Sequence, residues 1–365
     1  MMKRWYVTAI ATALMLAVCP LTAFGQQSST NLEGYTFKIF RVESGLYPFV
    51  QVYFRSFDQN MQPLVNLNYA NLGVMVKGRS YDPAKKQYFV QSIRNRSEAV
   101  RTVLVIDCSA TMKGKPFESA LLVASRFIDS KRAQDQVAVI AIRDADEGYH
   151  IVSNFERDPL ALARRLADLK PDGQITRMYD AVGHAMQMCG IVSQGGIGSD
   201  DAEYIISNSI VLIADGKNEQ SALTREELNT RISNLTIPIP IYSIPYTTVE
   251  RSHLRNLEAL SKNSFGQYFS ESRAKENPQR IVEDIQNILQ NDYVVTFRSH
   301  VDIDGEAHAF RIGLEYPSNT GKFMFQSGNF DAIEPPPIGR IVELVETLDE
   351  KIPAPADGNP FLSGP

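Results

Sequence analysis

Between residues 99 and 290 the apolar positions follow two rhythms that alternate along the chain. TVLVID, ending at Asp107, QVAVIAI and SIVLIA, ending at Ala214, are short β-branched runs bounded by polar residues and glycine, which read as buried strands. Between them apolar residues recur at helical spacing. Phe117, Ala120, Leu121, Ala124, Phe127 and Ile128 predict a helix over 116–130, and Leu162, Leu166 and Leu169 share one face of DPLALARRLADLK. MYDAVGHAMQMC, TREELNTRISNL, SHLRNLEALSKN and NPQRIVEDIQNILQ predict further helices, and HIVSNF, IPIYSIPY and QYFS further strands. Strands alternating with helices imply an α/β fold with a doubly wound, mainly parallel sheet covered on both faces.

The flanks follow a different rhythm. YTFKIFRV, PFVQVYFRSF, NLGVMVKGR and QYFVQSI are β-rich, and the alternation of Val50, Val52 and Phe54 fits a strand with one wet face. Four strands make a poor sandwich, so the missing ones are expected downstream. DYVVTFRSHV and HAFRIGLEYP, joined by an Asp304-Gly305 hairpin turn and followed by KFMFQS, supply them. The expected arrangement is an α/β domain (99–290) inserted into a β-sandwich built from 30–98 and 291–331, followed by a Pro-rich tail (332–365). That tail begins with Pro335-Pro336-Pro337, holds one short helix over GRIVELVETLDEK and ends extended.

The amino terminus suggests export. Lys3 and Arg4 precede an apolar span from Val7 to Val18, and Ala23-Phe24-Gly25 offers small residues where a signal peptidase reads. Residues 1–25 are therefore expected to be a signal peptide cleaved after Gly25, giving a secreted or periplasmic protein. The span is shorter than the roughly 20 residues a bilayer requires, so no transmembrane anchor is expected after cleavage. Bulky Val18 before Cys19 disfavours lipidation. Cleavage would change the formal charge from -5 to -7, by loss of Lys3 and Arg4, and leave Cys108 and Cys189, which are expected to be buried thiols. The acidic balance and the lack of a basic stripe argue against nucleic acid as a partner.

Candidate chemistry gathers where strands end. Asp107 closes TVLVID and is followed by the hydroxyls of Ser109 and Thr111, an all-oxygen set that suits a small divalent cation. The same residues could simply cap the next helix. A metal site would need further oxygens from other loops on the same sheet edge. Thr176, in GQIT before a predicted helix, and Asp215, in the Asp215-Gly216 step after IVLIA, stand there; an N-cap and a plain turn are their structural alternatives.

VLVIDCSATMKGKP, GQITRMYDAV and IVLIADGKNE, in this order and context, resemble the three loops of a von Willebrand factor type A (VWA) domain with its metal-ion-dependent adhesion site. The likeness extends from about Ala99 to Phe297. It implies that Asp107, Ser109, Thr111, Thr176 and Asp215 hold Mg²⁺, or Mn²⁺ or Ca²⁺, and that an Asp or Glu of a protein partner completes the coordination. The family usually has Gly and Ser where Ala110 and Thr111 stand, and a hydroxyl residue where Ala214 stands.

Other acidic groups carry blander expectations. Asp144, Asp146 and Glu147 read as a solvated hairpin, and Asp302 and Asp304 as a turn lacking the later ligands of a calcium loop. Asp200, Asp201 and Glu203 belong to a long Gly-rich insertion that could hold a second contact.

The expected function is cation-dependent protein binding or adhesion without catalysis. His150, His184, His253, His300 and His308 form no H-E-x-x-H pair, and no G-x-S-x-G elbow or Walker loop is present. Two alternatives are a structural scaffold of an envelope assembly with a vestigial metal site, and a hydrolase using metal-bound water with Asp215 as base.

Overall fold

The computed structural model describes residues 34–193, 205–235, 237–247 and 250–354. The expected signal peptide, Cys19, the Asp200, Asp201 and Glu203 insertion and the end of the tail lie outside the described residues.

The chain opens with β1 (Tyr35–Leu46), β2 (Phe49–Asp58), β3 (Leu72–Val76), β4 (Arg79–Ser80) and β5 (Tyr88–Ser92). The α/β part follows with β6 (Ala99–Asp107), α1 (Lys115–Ser130), β7 (Gln136–Ile142), β8 (Tyr149–Glu156), α2 (Pro159–Ala167) and α3 (Met178–Ser193). It continues through β9 (Ile205–Ala214), α4 (Arg225–Ser233), β10 (Ile241–Pro245), α5 (Leu254–Asn263), α6 (Glu271–Glu276) and α7 (Pro278–Gln290). β11 (Tyr293–Arg298), β12 (Ala307–Leu314), β13 (Met324–Asp331) and α8 (Gly339–Lys351) complete the described chain.

The central sheet has the order β10-β9-β6-β7-β8 and is parallel except for β8, which runs antiparallel to β7. All of β6 is buried because both faces are covered. Leu104 and Ile106 share a core with Phe117, Val123 and Phe127 of α1, Leu162 of α2 and Ile281 and Ile285 of α7. Val103 and Val105 face Val182 of α3, Leu228 of α4 and Leu257 of α5. This layering puts the carboxyl ends of β6, β7 and β9 on one edge.

The flanking segments form two antiparallel sheets, β1-β2-β11-β5 and β13-β12-β3-β4. Val50, Val52, Phe54, Val295 and Phe297 meet Val74, Val76, Phe310, Ile312 and Leu314 between them. The early and late segments thus build one sandwich, with the VWA-like α/β unit inserted between them. Asn277 caps α7, Pro278 occupies its first turn, and the helix ends three residues before β11 begins, so it leads directly into the sandwich.

Several expectations change. β2 has no wet face: Tyr53 packs into the α/β core, while Phe49 packs with Leu46 beneath Ile341, Leu348 and Ile352 at the carboxyl end. The Asp304-Gly305 turn exists, with Gly305 at φ +73, but it is no hairpin. β11 pairs with β2 and β5, whereas β12 pairs with β3 and β13, so the turn carries the chain between sheets. QYFS contributes one bridge, Tyr268 to Ser243, in place of a strand. Among the described residues no helix is long and apolar enough to cross a membrane.

We propose that the unit from Ala99 to Asn291 folds as a separate fragment while 30–98 does not, because β2 and β3 find their sheet partners in β11 and β12. Circular dichroism and thermal melting of the two fragments test this. Cooperative unfolding of 30–98 by itself would contradict it.

Candidate metal centre

The first loop starts where β6 runs out of sheet. Asp107 Oδ1 accepts the Ser109 N–H at 2.9 Å, which turns the chain away from the strand direction. A short 3-10 turn, Ala110–Met112, follows, and Gly114 at φ +86 opens α1. Ala110 is exposed and has no positive φ, so this backbone does not require the glycine usual in the family.

The second loop is laced to the first through main-chain bonds. Gly173 donates to Cys108 O at 3.0 Å, and Ala110 N donates to Gly173 O at 2.7 Å. Asp144, expected to be a solvated hairpin residue, accepts from Gln174 N and Ile175 N at 2.9 to 3.0 Å and orders this loop. Thr176 follows, 1% exposed, and its carbonyl accepts the Glu219 N–H at 2.6 Å, which joins the second loop to the third.

The third loop leaves β9 at Asp215. Its Oδ1 accepts from Lys217 N at 2.8 Å, and its Oδ2 accepts from the Thr111 hydroxyl at 2.6 Å. Ser109 Oγ lies 2.8 Å from Thr111 Oγ1; with the Thr111 proton directed to Asp215, Ser109 donates in that bond. Asn218 Oδ1 accepts the Tyr179 N–H at 3.0 Å, and Asp180 accepts from Ala222 N and Leu223 N, so α3 holds the far side of this loop. Asp144, Asp180 and Asn218 are supports that the sequence alone did not single out. Their bonds span roughly 30 to 40 residues and leave no periodic trace.

Four of the five expected ligands, Asp107, Ser109, Thr111 and Asp215, are thus joined directly or through one another by hydrogen bonds. Thr176 is tied in through its backbone; among the described residues its hydroxyl takes no part in that chain of bonds.

The electrostatics are unfavourable without a countercharge. Asp107 and Asp215 are both fully buried, and among the described residues Asp107 Oδ2 has no hydrogen-bond partner. Burial, followed by the nearby Asp215 carboxylate, pushes the Asp107 carboxyl up to about 7, against the pull of the Ser109 N–H. An orphaned buried carboxylate oxygen beside a second carboxylate and hydroxyl oxygens fits a hard divalent cation. Among the described residues no three His, Cys, Asp or Glu side chains gather as a metal cluster, so the donor set depends on hydroxyls. Sulfur plays no part. Cys108 and Cys189 are buried thiols, and burial raises both to about 12, so they stay protonated.

Gly216 is a sensitive point. It sits at φ +82, and a Cβ there would lie 2.5 Å from His253 O. Gly216→Ala is expected to cost about 1–3 kcal/mol and to displace the third loop. A lower melting temperature together with a smaller stabilisation by Mg²⁺ would show this; an unchanged melting curve would refute it.

Residues 102–217 match the family described as von Willebrand factor type A domain. No curated protein matches the sequence. Among solved structures, a von Willebrand factor type A protein from Catenulispora acidiphila is 12% identical, with a TM-score of 0.41, over 87% of this chain and 79% of that one. The SpRpn10 VWA domain is 15% identical, with a TM-score of 0.34, over 51% of this chain and 93% of that one. The three N-terminal domains of the type V pili tip protein Mfa5 from Porphyromonas gingivalis are 14% identical, with a TM-score of 0.27; the match covers 50% of this chain and 26% of that one. VWA domains commonly mediate protein–protein interaction. The three interlaced loops at the carboxyl edge of the central sheet lie within or beside the matched residues, and the chain contains a von Willebrand factor type A domain.

Proposed function

We propose that this protein is exported and binds a protein partner through a divalent cation, Mg²⁺ or else Mn²⁺ or Ca²⁺, held by Asp107, Ser109, Thr111, Thr176 and Asp215. The bound cation supplies a concentrated positive charge on which an Asp or Glu of the partner docks. The observation that carries this reading is the fully buried Oδ2 of Asp107, without a hydrogen-bond partner among the described residues, beside the buried Asp215. Ser109 and Thr111 add neutral oxygens, so the site neutralises less of the cation's charge than an all-carboxylate cage.

Binding is favoured over hydrolysis by the state of Asp215. A carboxylate that holds the cation, and accepts from Lys217 N and the Thr111 hydroxyl besides, has its charge drawn to the metal and is a weak general base. The surrounding backbone bonds hold the loops without any help from a substrate, as a docking point requires.

Immobilised protein is expected to retain specific proteins from an envelope extract in Mg²⁺ and to release them in chelator, with no such retention by Asp107→Ala. Equal retention in chelator would overturn the cation-dependent reading.

A further inference from the structure

A cavity of about 540 Å³ lies between the sandwich and the α/β unit, and none of its lining residues belongs to the three loops. The 62–67 loop, β5, the 3-10 turn after it and the end of α7 form its walls. Its volume is that of a small-molecule site, about 300–1,000 Å³.

The lining is unusual in chemistry. Six of its side chains are carboxamides: Gln62, Asn66, Gln91, Asn95, Asn287 and Asn291. Among the described residues Arg94 is its one charged side chain, and Arg94 Nη2 already lies 3.5 Å from Asn287 Oδ1. Asn291 is 9% exposed and anchored by its Nδ2 to Asn287 O at 2.8 Å; Gln91 Oε1 accepts from Arg96 at 3.0 Å. These bonds fix the planes of two carboxamides while leaving Asn291 Oδ1 and Gln91 Nε2 for other partners.

A carboxamide presents a donor and an acceptor side by side, and neighbouring hydroxyls on a sugar ring present the same pair in return. An anion would find a single guanidinium here, and a cation would find no carboxylate. A purely apolar ligand would leave the amides dehydrated and unpaired. Pro63 and half-exposed Val65 add apolar surface suited to the C–H face of a ring. The amides come from separate segments of the chain, unlike the regular backbone repeat that captures an extended peptide. We infer that this cavity binds a neutral saccharide, independently of the cation site.

Saturation-transfer NMR tests it, using the full chain and a panel of neutral di- and trisaccharides built from glucose, galactose, mannose and N-acetylglucosamine, with neutral tripeptides alongside. At least one saccharide is expected to receive saturation. Asn95→Ala and Asn287→Ala, both at exposed positions and checked for unchanged melting, should each weaken binding by about tenfold. Chelator and Asp107→Ala should leave it unchanged, so failure here is separable from failure of the cation reading. No transfer to any saccharide, transfer to the tripeptides in place of saccharides, or binding indifferent to both substitutions would overturn the inference.

Discussion

Asp107→Asn is expected to raise the stability of chelator-treated protein at neutral pH and, in the same molecule, to abolish stabilisation by Mg²⁺. The folded carboxyl sits at about 7 against an ordinary value of 3.8, held up first by burial and then by Asp215. A raised folded value means that the contribution to stability is fully present below the ordinary value and is lost as pH rises through the folded one. Without a cation, the native protein should therefore weaken as pH rises between about 4 and 7. Asn cannot ionise. Its Oδ1 can still accept from Ser109 N, and its amide replaces an oxygen that has no hydrogen bond to lose. The stability gap between variant and native protein in chelator should thus open with rising pH. Adding cation at about 100 times its dissociation constant should stabilise the native protein by about 2.7 kcal/mol and leave the variant unchanged. Thermal melts from pH 4 to 8, with and without Mg²⁺, read both effects; parallel pH profiles in chelator would refute the argument.

Arg55→Ala should be the most damaging change away from the loops. Arg55 on β2 grips Asp292 with a two-pronged pair, Nε to Oδ1 at 2.7 Å and Nη2 to Oδ2 at 2.6 Å, and its Nη1 reaches Tyr242 of β10 at 3.4 Å. Asp292 is fully buried between α7 and β11, so this contact stitches the sandwich to the α/β unit. Burial opposes the Arg55 charge, but Asp292 and Tyr242 outweigh it and hold the guanidinium above its usual range. On Asp292 the balance goes the other way: burial raises the carboxyl despite Arg55. The two directions conflict, and the paired short bonds decide for an ionised couple. Removing Arg55 leaves a buried carboxylate without a partner, at a cost of about 3–5 kcal/mol. The double replacement Arg55→Met with Asp292→Leu should recover most of that loss, because it removes both charges together. Urea unfolding at pH 7 measures each. A loss below about 1 kcal/mol for Arg55→Ala would show that the pair is solvated, as surface pairs are.

The parts of the molecule legible in the sequence are those written in short-range periodicity. β6, α1, α3 and α7 follow from runs and spacings within a single element, and Asp107, Ser109 and Thr111 sit within a five-residue window. Thr176 and Asp215 were legible because strand ends share an edge in a parallel sheet. What escaped depends on distant neighbours. The second buried face of β2 exists because Tyr53 meets the α/β core and Phe49 meets the carboxyl-terminal helix, neither of which alters the alternation of Val50, Val52 and Phe54. The Asp304-Gly305 turn has the chemistry of a hairpin; only the pairing of β11 and β12 with other strands reveals a crossover. Asp144 has the composition of a solvated loop residue, and its role rests on two N–H groups about 30 residues away.

The proposed function rests on a cation held by five oxygens, and calorimetric titration of the protein with Mg²⁺ and Mn²⁺ at neutral pH tests that most directly. Saturable binding by the native chain, lost in a folded Asp107→Ala variant, is the predicted result. Absence of binding for both cations, or undiminished binding by Asp107→Ala, would contradict it.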